Sequence, residues 1–527
     1  GYLNNEEAAK TDPQSHAIIY GSFLYILALY PRFLSLNWPH MKLLLEKILE
    51  CYRTPCQPLQ TMAVTTTKNL ALRVSNQLNA KHTDQPQSFL FTLLQNAEAI
   101  ASVLPEATVP ILYEAMAIMI KNHRNENQKA QMVAKLLILP LKSWEESVAQ
   151  LTPETAREDR ITLKLQFPID IFGKIILISN FAFYPEIENI ITRTQELYSF
   201  YSAQLAESPH ENLFRIKTQI LHLYEAFLTQ HPDSTIVPGL IEMLLIDYSN
   251  SSPEGNSRII DCFTAMINKL GADSQIFIQD IMMKSIMPTL ELLQTLPFSR
   301  FPEIRLSSFK LINTLITKLF PCVQTFDFPM FTTIINCLLD GIANQKYEIS
   351  YIALDCICNL FSAIDSDPEN QFRSSFYNSF YFKLLFQLFS VLTDRSHKNI
   401  FLELAKSLMH LFQVVLNHRL ILDDQPSTDQ LVCMTLSEKL SKDFPQIQPE
   451  NLIELVKSLI IESANFGQFQ QLLRNFLIDT KKMHPSDIDL HLSEERNRAE
   501  IEILGLTGPA VPAEDDETFD EELISEF

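Results

Sequence analysis

Apolar residues recur at i, i+3, i+4 and i+7 in segment after segment of roughly 10 to 22 residues, which is the period of one face of a helix, and strand-type alternation is nearly absent. The spacing predicts helices over 15–29, 38–52, 57–77, 87–104, 106–123, 127–139 and 141–150. It continues through 168–183, 274–296, 372–392 and 449–463, among others, to a last helix over 486–504. Proline marks the joints. Pro31, Pro39, Pro105, Pro140, Pro153, Pro209, Pro232 and Pro321 fall at predicted ends, first turns or loops, where a missing amide costs least. Pro288 falls inside 274–296 and predicts a kink; Pro110 predicts that its helix starts a turn later than residue 106. Many helix-to-helix steps are near 20 residues, so helix pairs repeat about every 40, the period of HEAT and armadillo units.

The chain has 527 residues, more than one compact core readily serves. It holds 10 Gly against 28 Pro, is 46% hydrophobic, and has no long Gly/Ser-rich linker, so a continuous array is favoured over separate domains. The predicted fold is therefore all-α, a HEAT-repeat superhelical solenoid. The predicted division is a flexible leader (1–14), repeats (15–123), further repeats (124–484), a terminal helix (485–504) and an acidic tail (505–527).

A formal net charge of −21 opposes binding to phosphate backbones, so no direct nucleic-acid contact is expected; the acidity suits either basic protein partners or plain solubility. Eight dispersed cysteines read as a reducing compartment. No uninterrupted apolar run reaches the roughly 18 residues of a membrane span, and the polar start GYLNNEEAAKTDPQ is not a signal peptide. No membrane partner is expected. A start at Gly1 reads as a fragment or a processed product.

Catalytic patterns are missing. Lys174 directly follows Gly173 but lacks the earlier Gly of a phosphate loop, and there is no GxGxxG, HExxH or GxSxG. Cys356 and Cys358 are separated by roughly 200° around a helix, and His410 and His418 by roughly 12 Å along one, so neither pair converges on a metal. No enzyme activity, cofactor or metal is predicted.

Several motifs resemble the exportins for leucine-rich nuclear export signals, the chromosome region maintenance proteins of the importin-β-like karyopherin family. These are Tyr30-Pro31-Arg32-Phe33-Leu34 with Trp38, Tyr113-Glu114-Ala115, Leu245-Ile246-Asp247-Tyr248 and Ile267-Asn268-Lys269-Leu270-Gly271. Ser375-Phe376-Tyr377, Phe389 to Asp394, Ser396-His397 and Arg474-Asn475-Phe476-Leu477 follow in order, and Ser486-Asp487 with Leu492, Glu494, Glu495 and Arg496 complete the set. The resemblance spans residues from about 15 to about 500. It implies the carboxy-terminal half of a shuttling export receptor of the nucleus and cytoplasm, without the amino-terminal repeats and acidic loop that grip the GTPase Ran. The implied partners are cargo proteins with leucine-rich signals, Ran-GTP and nucleoporins.

The resemblance further implies a cargo groove on the outer surface between helices 57–77 and 87–104. Its residues would be Thr61, Val64, Lys68 and Arg73 on the first helix and Phe89, Leu93, Ala97, Ile100 and Leu104 on the second. Core packing is the other use of the same stripes. Met62-Ala63-Val64 is similar to the family's Met-Ala-Cys, whose cysteine is the target of electrophilic inhibitors, so Val64 implies signal binding without covalent inhibition. Lys68, Arg73 and Lys81 would attract acids flanking a signal, unless they are simply solvated. In the acidic tail, Phe519, Leu523, Ile524 and Phe527 suggest either autoinhibitory docking or a solubilising tail. A HEAT scaffold outside transport remains the alternative reading.

Overall fold

The computed structural model describes residues 13–82, 85–178, 184–251, 256–297, 299–366, 371–417 and 428–480, and every regular element among them is a helix. The leader up to residue 12, the terminal helix and the tail residues Phe519, Leu523, Ile524 and Phe527 lie outside the described residues. The chain divides into two compact units, Gly1–Gly341 and Ile342–Phe527.

The helices of the first unit are α1 (Pro13–Ala28), α2 (Pro31–Leu36), α3 (Trp38–Arg53), α4 (Gln57–Asn79), α5 (Phe89–Gln95), α6 (Ala97–Ala101), α7 (Val109–Lys121) and α8 (Glu126–Val148). They continue with α9 (Asp159–Ile178), α10 (Tyr184–Glu207), α11 (Glu211–Gln230), α12 (Val237–Asn250), α13 (Ser257–Leu270), α14 (Gln275–Ile281), α15 (Met287–Thr295), α16 (Pro302–Lys318), α17 (Phe320–Val323) and α18 (Phe328–Ile342). Two layers result. Helices α1, α4, α7, α9, α11, α13 and α16 stack each on the next over extensive contacts, and the helices between them form the second layer. This is the HEAT arrangement, in which each pair buries one face within itself and another against its neighbours.

In the second unit α19 (Tyr347–Asp365), α20 (Gln371–Leu392), α23 (Pro449–Glu462) and α24 (Phe466–Asp479) surround α21 (Phe401–Leu416), and α22 (Thr428–Asp443) pairs with α23. Phe412 meets Phe389 and Phe469 at ring separations of 6.3 and 5.8 Å, tying α20, α21 and α24 together.

Proline behaves differently from expectation at two positions. Pro140 and Pro168 lie buried inside the continuous helices α8 and α9 and do not end them. Burial of the flanking apolar stripe offsets the lost amide bond. At Pro288 the predicted kink takes the form of a π-helical turn, Met282–Ile286, after which Pro288 occupies the first turn of α15. The wider turn re-routes the carbonyls that a proline cannot engage. Pro110 sits in the first turn of α7, behind a 3₁₀ turn at Glu106–Thr108, as its position predicts.

Buried polar groups set the register of the stack. Arg305 donates through Nη2 to the carbonyls of Leu293 (2.9 Å) and Leu296 (3.2 Å), and through Nε to that of Arg300 (3.3 Å), capping the end of α15. It thereby holds the turn in which Phe301 takes a left-handed φ of 51°. Across α10, α11 and α12, Lys217 Nζ lies 2.7 Å from Asp247 Oδ2, and Tyr198 donates to the same carboxylate at 2.6 Å.

Candidate functional site

The predicted groove begins on α4, a helix rich in Ser and Thr. Thr61, Thr65 and Thr67 donate back to the carbonyls of Gln57, Thr61 and Ala63, each at 2.9 Å, and Ser75 does the same to Ala71. Such back-bonding competes with the helical ladder, and Val74, one residue before Ser75, leaves helical geometry at φ −135° and ψ 29°. The helix is pinned at both ends. Gln60 Nε2 donates to the carbonyls of Tyr52 (3.2 Å) and Val103 (2.9 Å), and Asn79 Nδ2 donates to that of Met119 (2.7 Å). Tyr52 OH and Thr67 Oγ1 share a buried hydrogen bond of 2.6 Å.

The second predicted helix is two pieces, α5 and α6, broken at Asn96; Ser88 caps the first by accepting from Phe91 N. Helix α4 stacks on α7 in the first layer, whereas α5 contacts α4, α7 and α8, and α6 contacts α8. In addition, Val64, Phe89, Leu93, Ala97, Ile100 and Leu104 are all buried. The broad apolarity of α5 and α6 is consumed by packing on two sides, as a helix between neighbouring repeats requires.

The predicted cations are placed differently from one another. Lys68 is half-buried, with Nζ 2.6 Å from Glu114 Oε1, and Lys174 approaches Glu114 Oε2 at 3.5 Å. Lys68 is thus committed to an internal carboxylate. Arg73, Lys81 and Thr61 are exposed.

Accessible apolar surface lies elsewhere, on α1 to α3. Leu36 is 84% exposed, Leu29 59%, Tyr25 54%, Phe33 45% and Leu43 44%. A cleft of about 440 Å³ between α1 and α4 is lined by Tyr25, Leu29, Pro58, Thr61 and Met62, so Thr61 is the predicted residue that it includes. Tyr20 donates to Glu50 Oε2 at 3.1 Å, and Lys47 lies 2.8 Å from the same oxygen. Burial pushes the Tyr20 phenol up to about 12, and the hydrogen bond to Glu50 raises Lys47. The sequence signal for this surface was the apolarity of α1 all the way round, visible in Ile18, Ile19, Tyr25 and Ile26, which a single buried face does not need.

Thiol chemistry at the groove is disfavoured. Burial pushes the Cys51 and Cys337 thiols up to about 12 and raises those of Cys262, Cys322, Cys358 and Cys433. Such thiols carry little thiolate and react slowly. Cys56 caps α4 and is half-buried, roughly 12 Å along the helix from Val64. Intact-mass analysis after treatment with a thiol-reactive export inhibitor is expected to show no stoichiometric adduct mapping to α4 or α5, and such an adduct would contradict this placement. Among the described residues no three His, Cys, Asp or Glu side chains converge as metal ligands.

The profile of the family described as CRM1 C terminal matches residues 187–485. Exportin-1 of Schizosaccharomyces pombe is 23% identical over 519 residues, covering 92% of this chain and 48% of that protein. Protein EXPORTIN 1B of Arabidopsis thaliana is 22% identical over 534 residues, covering 94% and 49%, and Exportin-1 of Drosophila melanogaster is 21% identical over 519 residues, covering 93% and 48%. The chain spans about half the length of the curated relatives it matches, and it aligns to their carboxy-terminal half.

Proposed function

Because the chain belongs to the CRM1 C terminal family, we propose that it forms the carboxy-terminal half of a nuclear export receptor and works by binding proteins. The reading is carried by the alignment to Exportin-1 over 92% of the chain. In this reading the receptor takes cargo with leucine-rich signals together with Ran-GTP, shuttles between nucleus and cytoplasm, and contacts nucleoporins on the way. The chain contributes surface, and nucleotide hydrolysis belongs to the GTPase.

The peptide surface we assign is the apolar face of α1 to α3 with the adjoining α1–α4 cleft. An amphipathic signal offers Leu, Ile, Val or Phe at helical spacing, and exposed Tyr25, Leu29, Phe33 and Leu43 are partners of matching chemistry. Each fully buried anchor is worth about 1.5–3 kcal/mol before ordering costs. Capture on an immobilised leucine-rich export peptide tests the assignment. Retention by the natural peptide, and loss when its apolar anchors become alanine, is expected; equal retention by both would count against it.

A further inference from the structure

A cleft of about 1260 Å³ runs across α7, α9 and α11, three successive helices of the first layer in the first unit. Its α9 wall is the stripe Leu163, Phe167, Asp170, Gly173 and Leu177. Steps of three or four residues keep these on one helical face over roughly 21 Å, which is the length of about 14 helical residues. Leu163 and Leu177, at the two ends, are each 49% exposed, and Phe214 of α11 also lines the cleft. The groove therefore offers apolar contact along its length to something outside the chain.

Two features in the middle define what fits. Gly173 lies within α9, and a Cβ built there would meet no atom within 4 Å. Glycine inside a helix costs about 1 kcal/mol relative to alanine, and no neighbour in the fold requires its small size. One turn earlier stands Asp170, which accepts from Gln219 Nε2 at 3.3 Å. Asp170 is exposed within the cleft, and partial burial raises its pKa against the pull of Lys174, Arg215 and His222. Glu106, Glu211 and Glu225 also line the cleft, against Lys174 and Arg215, and Lys174 is already drawn to Glu114. A cation arriving on an apolar stem satisfies such a carboxylate while covering the walls beside it.

We propose that this cleft is a docking groove for a basic amphipathic helix of a protein partner. The helix would lay leucine-type side chains along Leu163, Phe167 and Leu177 and direct Arg or Lys over Gly173 to Asp170. The groove is built from other helices than the face assigned to export signals and stands whether or not that assignment does.

Anisotropy titrations of the 527-residue chain with two labelled synthetic peptides of about 14 residues test it, one of Leu and Arg at helical spacing and one with Glu in place of Arg. About 0.15 M salt screens non-specific attraction to the acidic protein. The Leu/Arg peptide is expected to bind at least about tenfold more tightly than the Leu/Glu peptide. Gly173→Trp fills the open floor and should weaken the Leu/Arg peptide at least about tenfold without lowering the melting temperature, as should Asp170→Lys, while Met434→Asp, at an exposed position of the second unit, changes nothing. Binding of the Leu/Arg peptide to both cleft variants within about twofold of the parent, or equal binding of the two peptides, overturns the proposal.

Discussion

Replacing Lys217 by Met is expected to destabilise the first unit by about 3–5 kcal/mol, the usual consequence of removing one member of a buried ion pair. Both side chains are 8% exposed, and the ammonium also donates to Ser251 Oγ at 3.2 Å. Without it the Asp247 carboxylate, itself only 8% exposed, keeps only hydroxyl donors, Tyr198 at 2.6 Å and Ser251 at 3.1 Å. The Tyr198 phenol, raised well above its ordinary value by burial and by Asp247, cannot supply the missing positive charge. Because the cluster joins α10, α11 and α12, its loss loosens three consecutive helices. The double variant Lys217→Met with Asp247→Leu should recover most of the loss, since an apolar pair of similar volume needs no compensation. Urea denaturation followed by circular dichroism reads both. An unchanged midpoint for the single variant would show that the pair contributes nothing to stability.

Placing Asp at Leu29 and Leu43 together is expected to weaken binding of a leucine-rich export peptide by at least roughly a hundredfold, equivalent to about 3 kcal/mol from two lost apolar anchors. Both positions are more than two-fifths exposed, so the melting temperature should stay within a few degrees of the parent. Leu93→Ala should behave in the opposite way. That side chain is fully buried, and its truncation should cost about 2–5 kcal/mol of stability while leaving the peptide surface of the folded molecules unchanged. Fluorescence titration paired with thermal melts separates the two effects. Loss of peptide binding in folded Leu93→Ala, with retention in the Leu29/Leu43 variant, would return the site to α5.

The layered helical architecture could be read from the apolar period because nearly every helix repeats it over several turns. The failures have physical causes. Pro140 reads as a joint and Pro168 as the start of a helix because local chemistry makes proline the strongest helix breaker, yet both are held inside helices by tertiary packing. The stripe Phe89, Leu93, Ala97, Ile100 and Leu104 looks the same in sequence whether it faces a ligand or a neighbouring repeat. In the structure these side chains are buried among α4, α7 and α8, contacts that leave no local trace in the sequence. Lys68 resembled a solvated rim cation because its counter-ion, Glu114, comes from the next helix of the layer and leaves no local trace in the sequence. The exposed face of α1 to α3 is legible in the sequence as more apolarity than one buried side needs.

As proposed above, these stacked helices belong to a receptor that binds export signals cooperatively with a GTPase. Titrating a labelled leucine-rich export peptide against the full natural protein, with and without saturating Ran-GTP, tests it most directly. Affinity is expected to be at least about tenfold higher with Ran-GTP than without, with a reciprocal gain in Ran-GTP affinity when peptide is present. Peptide binding that is absent under both conditions, or indifferent to Ran-GTP, would contradict it.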